Sequence, residues 1–219
     1  MESKQEGIYG INILTPRIRP GYQTRFRRDE TREPRDVDLF LHVRALSPEE
    51  QLSQGAKNYL KATEEAVRRS RFPIMILPGR LKDFPEVPEL WSIGYQLTQT
   101  GKISEDTAVQ LGDLLGGFNK KDRFRIHGAY LGACTSELAV QLYGLVERDI
   151  YWPDFLDMRT ERPIECLREE SRLRIEKLLR ERALGRSNIR LGNVFARSQK
   201  DSELVRQITD SRTRIFRID

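Results

Sequence analysis

Cys134 is the residue of this chain best placed to do covalent chemistry. It follows Arg123-Phe124-Arg125-Ile126-His127, where Phe124 and Ile126 alternate with polar neighbours as a strand does. Gly128 and Gly132 mark a small-residue turn, and Leu138, Leu142 and Leu145 then recur at helical spacing. The thiol therefore falls at a strand-to-helix join. There the positive end of the helix dipole favours a thiolate, and backbone N–H groups can face a ligand. The chemistry would be attack on an amide or imide carbon, with the oxyanion held by those N–H groups. The bland alternative is a small buried residue at a tight join, since cysteine is commonly buried and inert.

The other reactive side chains also read two ways. His42 and His127 lie at strand ends or interiors, each a base or metal ligand on one reading and a hydrogen-bonded structural residue on the other. Lys102 would lower a thiol pKa or simply sit on the surface near a turn. Cys166 falls on a charged helix and reads as structural. The two cysteines lack metal-ligand spacing and give no disulfide framework, which points to a reducing compartment. Leu115-Gly116-Gly117-Phe118 lacks the lysine and helix start of a phosphate-binding loop.

The elements that must position these residues are legible in outline. Val37 to Val43 is a nearly continuous apolar run, as in a strand buried on both faces of a parallel sheet. Ser47-Pro48-Glu49-Glu50 is a capping box that opens a helix reaching about Arg71. Phe72 to Leu77 is a second buried strand, ended by Pro78-Gly79. Residues 80–101, with Pro85, Pro88, Trp91 and Gly94, read as a loop with a short helical turn. A helix opens at Ser104 and ends near Gly116-Gly117. Ile8 to Leu14 reads as a short strand and Asp149 to Pro153 as an edge strand. Pro163 to Arg186 reads as a long charged helix with a narrow apolar stripe. Residues 187–219 hold a short helix around Glu203–Ile208 and a terminal strand from Arg212 to Ile218. This divides the chain into a basic extension (1–35), an α/β domain (36–160), and a charged helix with C-terminal extension (161–219).

Charged residues make up 32% of the 219 residues and the net charge is +5, with arginine outnumbering lysine about three to one. Seven arginines stand between Pro16 and Arg35: Arg17, Arg19, Arg25, Arg27, Arg28, Arg32 and Arg35. Arginine pairs bidentately with phosphate or carboxylate, so residues 16–35 read as an arm for nucleic acid or an acidic protein, or as a solvated surface. No apolar run nears the roughly 20 residues that span a bilayer, and the polar start lacks a signal peptide's apolar segment, so the expectation is a cytoplasmic protein without a membrane partner.

The order of strand, helix, strand, loop, helix, strand, small-residue turn, Cys, helix over about residues 36–146 resembles the isochorismatase-like cysteine hydrolases, which include nicotinamidases. The best local match is Ile126-His127-Gly128-Ala129-Tyr130-Leu131-Gly132-Ala133-Cys134-Thr135. In that family a strand ending in Gly leads to the nucleophilic Cys six residues on, the spacing of Gly128 and Cys134. Lys102 stands about where the family's catalytic Lys would come, and Pro88-Glu89-Leu90-Trp91 is similar to the segment before it. The resemblance implies a three-layer, Rossmann-like α/β fold with a mainly parallel sheet, and a homo-oligomer. It also implies hydrolysis of a small amide or related bond; the residues themselves point to no cofactor and no metal. Catalysis would fall to Cys134, Lys102 and His42, with Gly128, Tyr130, Gly132, Ala133 and Trp91 lining the substrate site. One position departs. The family carries an Asp at the end of the first strand to take the thiol proton. Here that place holds His42, with Asp38 inside the strand. His42 either serves as the base or marks a domain that kept the fold and lost the chemistry. The alternative from another class is a non-catalytic, arginine-rich binding or assembly protein.

Overall fold

The two apolar runs and the strand before Cys134 form the middle of a parallel sheet. The computed structural model describes residues 12–14, 29–44, 46–77, 91–94, 105–132, 134–147, 184–197 and 203–218. Its strands are β1 (Asn12–Leu14), β2 (Asp36–Leu41), β3 (Pro73–Leu77), β4 (Trp91–Gly94), β5 (Arg123–Ala129), β6 (Ile189–Ala196) and β7 (Arg214–Arg217). They lie in the order β1-β4-β3-β2-β5-β6-β7, and every pairing is parallel. From the central β2 the chain winds outward through β3 and β4, then returns and winds the other way through β5, β6 and β7. This is a doubly wound α/β fold, and its direction reverses between β2 and β5.

Five helices are described: α1 (Pro48–Leu52), α2 (Gln54–Arg69), α3 (Glu105–Leu114), α4 (Cys134–Glu147) and α5 (Glu203–Ile208). The alternation of side chains along each strand assigns them to two faces. Val37, Leu39, Ile74, Ile76, Phe124, Ile126, Leu191 and Val194 meet Leu111 of α3, Leu138 and Leu142 of α4 and Ile208 of α5. Phe40, Met75, Ala129 and Phe195 on the other face meet Ala56, Tyr59 and Val67 of α2. The sheet is thus covered on both sides. Among the described residues no helix is long and apolar enough to cross a membrane.

Four details depart from the sequence pattern. The single helix expected from Ser47 is two. Ser53 has extended backbone (φ −68°, ψ 151°), and its hydroxyl accepts from the Ala56 N–H at 3.0 Å, so a second N-cap interrupts the run. Trp91–Gly94, expected in a loop, is a strand between β1 and β3. Residues 189–196, expected in an extension, form a strand, and with β7 they complete the same sheet as β2 and β5. The Gly192-Asn193 pair, a turn-favouring dipeptide, interrupts the strand pattern of β6. Here it is a bulge: two steps along β5, from Ile126 to Gly128, match three along β6, from Leu191 to Val194. Finally, the end of the basic segment is part of the fold. Arg32 pairs with the buried Asp122, and Arg35 donates to the Leu115 carbonyl at 2.9 Å and lies over the Phe72 ring. The strand expected at 149–153, most of the helix expected at 163–186, and the arginines from Arg17 to Arg28 lie outside the described residues.

Candidate functional site

In a doubly wound sheet, ligands bind beyond the carboxyl ends of the strands, where the winding reverses. Here that place is the end of β2 and of β5. The sequence delivers His42 to the first and the Gly128–Cys134 segment to the second.

Gly128 pairs with Leu41, and its backbone lies at φ 155°. A Cβ there would stand 1.9 Å from the Leu41 carbonyl oxygen, so only glycine lets the strands close at this point. The chain then turns through a cis Ala129-Tyr130 peptide and through Gly132 at φ 76°. Three bonds hold the turn. The Leu131 N–H donates to the Phe195 carbonyl at 2.8 Å, Thr135 Oγ1 to the Tyr130 carbonyl at 3.0 Å, and the Gly132 N–H to Ser136 Oγ at 3.1 Å. Thr135 and Ser136, both buried, thus tie the turn to the first turn of α4. Cys134 opens that helix, half-buried at the margin of the core and not in a disulfide.

His42 follows directly on β2, with φ 51°. Burial disfavours its charged form and lowers its pKa to about 4. The imidazole is neutral at neutral pH. As a proton acceptor it is poorly matched to an ordinary thiol near 8.5, since transfer across that gap is uphill by about 6 kcal/mol. The same depression predicts an acid sensitivity. Unfolded, the histidine titrates near its ordinary 6.5, so its contribution is fully present above that pH. It is lost as pH falls from there through about 4. Allowing for partial solvent screening, the loss is on the order of 2 kcal/mol. Urea unfolding at pH 7 and pH 4.5 should show it, and a His42→Gln variant should have the flatter dependence.

A second polar group stands at the same edge. Glu50 of α1, only 5% exposed, accepts from the Ser47 N–H at 2.7 Å, from the Tyr130 hydroxyl at 2.5 Å and from Arg197 Nε at 2.6 Å. Arg197 Nη2 also donates to the Tyr130 hydroxyl at 2.7 Å, and the guanidinium lies 3.9 Å over the Tyr130 ring. Burial works against the Glu50 charge, but the bonds from Arg197, Tyr130 and Ser47 outweigh it and its pKa falls to about 2. Burial and the Glu50 carboxylate push the Tyr130 phenol up to about 12. The group pins α1, the turn after β5 and the end of β6 together. Glu50 was visible in the sequence only as a helix cap. Nothing marked Arg197, because the strand it follows was not visible either.

His127 lies below this edge, inside the sheet. The bulged Asn193 donates its N–H to His127 Nδ1 at 3.0 Å, so the ring proton sits on Nε2 and is donated to Asp38 Oδ1 at 3.1 Å. Phe40 stacks on the ring with centroids 4.6 Å apart, and a Cβ on Gly192 would come within 2.3 Å of it. Burial opposes the Asp38 charge, but the bonds from His127 and Ser70 hold its pKa below the ordinary carboxylate value. Both residues are structural, and Asp38 sits three positions before the end of β2, away from the thiol's edge of the sheet.

The structure therefore brings His42, Gly128, Tyr130, Gly132 and Cys134 to one edge. Trp91 opens β4 at its N-terminal end, with β3 between it and β2. Its side chain, like Lys102 and Ala133, lies outside the described residues. Among the described residues no group of three or more His, Cys, Asp or Glu is arranged to hold a metal ion. The chain matches no family model, no curated protein and no solved structure.

Proposed function

We propose that this chain is an isochorismatase-like domain acting as a cysteine hydrolase on a small amide or related C–N bond. One observation carries the reading: the half-buried Cys134 opens α4 at the reversal point of a doubly wound sheet. The Cys134 thiolate would attack the carbonyl carbon, and N–H groups at the start of α4 would hold the oxyanion. The Gly132 N–H is not among them, being spent on Ser136. The amine then leaves with a proton, and water cleaves the thioester to the acid. Lys102 would supply a positive charge to the thiolate, and His42 at the end of the neighbouring strand would pass the proton.

The low pKa of His42 favours a second reading, a binding domain that keeps the crevice without turnover. Iodoacetamide labelling of Cys134 across pH 5–9 separates the two. The hydrolase predicts alkylation at least about tenfold faster at pH 7 than a free peptide thiol, with its midpoint well below 8.5. A rate and midpoint equal to those of the free thiol would end the hydrolase reading.

A further inference from the structure

We propose that the opposite, N-terminal edge of the sheet carries a second ligand site, for a small phosphorylated molecule bearing hydroxyl groups, of the sugar-phosphate class. A cleft of about 370 Å3 opens there, where the starts of β2, β5 and β6 meet the segments before β6 and β7. That is the size of a small-molecule pocket.

The charges in the cleft are asymmetric. Its lining includes Arg123, Arg125, Arg190 and Arg212 against Asp36, Asp38 and Asp210. All three carboxylates are engaged. Asp36 pairs with Arg123 at 2.5 Å, and Asp210 takes Arg125 bidentately at 3.2 and 3.0 Å. Asp38 holds His127 and Ser70. Two guanidinium groups have no carboxylate hydrogen-bonded to them among the described residues, although Arg190 also acts on the Asp210 charge without a hydrogen bond. Arg190 donates to the backbone carbonyls of Ile189 at 2.7 Å and Gly185 at 2.9 Å, which fixes its fork and leaves three of its five N–H bonds. Arg212 is exposed, and its backbone N–H is held by Asp210 Oδ1 at 2.8 Å. Two arginines, one fixed at the start of β6 and one exposed before β7, suit the nearly double charge of a phosphate monoester.

The rest of the lining narrows the class. The exposed Asp36 carboxylate can accept only from O–H or N–H groups, which sugar hydroxyls supply. Among the described residues the lining offers no aromatic face for a base: Phe124, the one ring there, is 1% exposed and belongs to the core. A nucleotide would leave its base unstacked, and a sugar phosphate would not.

Isothermal titration of the full chain with ribose 5-phosphate and, separately, inorganic phosphate tests this. The proposal expects saturable, one-to-one binding of ribose 5-phosphate, weaker binding of phosphate alone, and affinity for both reduced about tenfold in Arg212→Gln. Asp36→Ala removes the hydroxyl acceptor and releases Arg123, so it should strengthen inorganic phosphate and lower the preference for ribose 5-phosphate over phosphate. Arg212 and Asp36 are exposed, so both variants should melt with the parent. Absence of saturable binding, or equal affinity in parent and Arg212→Gln, overturns the proposal. So does binding of a short RNA, steeply weakened by salt, with none of the sugar phosphate, which would make this edge a polyanion surface instead.

Discussion

Asp122→Ala is expected to cost about 3–5 kcal/mol, close to the whole stability of a marginal domain, read from the urea midpoint. The carboxylate is fully buried and sits just before β5. Arg32 grips it from both Nη atoms, one at 2.8 Å, while also donating to the Gly117 carbonyl from Nε at 2.9 Å and Nη2 at 2.7 Å. The Arg35 N–H at 2.9 Å and the Asn119 N–H at 3.0 Å complete the oxygens. The alanine variant strands one guanidinium, 12% exposed, and two backbone donors. Since the cost comes from unpaired groups rather than from losing a favourable pair, Arg32→Met with Asp122→Leu should recover part of it. A loss under about 1 kcal/mol in Asp122→Ala would mean that water replaces the carboxylate and that the clasp does not hold the segment before β2.

That clasp shows what a single sequence conceals. Arg32 is one of seven arginines in a run and looks like the others. What distinguishes it is Asp122, 90 residues away. The central strands were legible because burial on both faces demands uninterrupted apolar runs, as in Val37–Val43 and Phe72–Leu77. The outer strands were not. Trp91–Gly94 is four residues long among prolines, and β6 carries a glycine because the His127 ring fills the space a Cβ would take. The same logic governs the site. The Gly128-to-Cys134 spacing was legible because a strand, a tight turn and a helix are local. Glu50 and Arg197 meet Tyr130 only through tertiary closure, across 80 and 67 residues. Local pattern therefore placed the thiol at the C-terminal edge of the sheet. It did not supply the charged groups that fix that edge.

Two glycines six and two residues before Cys134 separate the fold's demand from the turn's. Gly128→Ala is expected to destabilise by several kcal/mol, about 4 or more, with most of the chain insoluble on expression. Its Cβ would meet the Leu41 carbonyl oxygen at 1.9 Å and carbon at 2.9 Å, both backbone atoms of the central strand. Neither can yield without opening the β2–β5 pairing on which both cores rest. Gly132→Ala meets nothing within 4 Å and pays only for its left-handed φ of 76°, about 1 kcal/mol. The second variant should fold, melt a few degrees lower and keep Cys134 alkylation within about twofold of the parent, because the ties from Leu131 and Thr135 remain. Equal, mild effects at both positions would show that β2 and β5 do not close at Gly128. The thiol's place beside the end of β2 would then lose its basis.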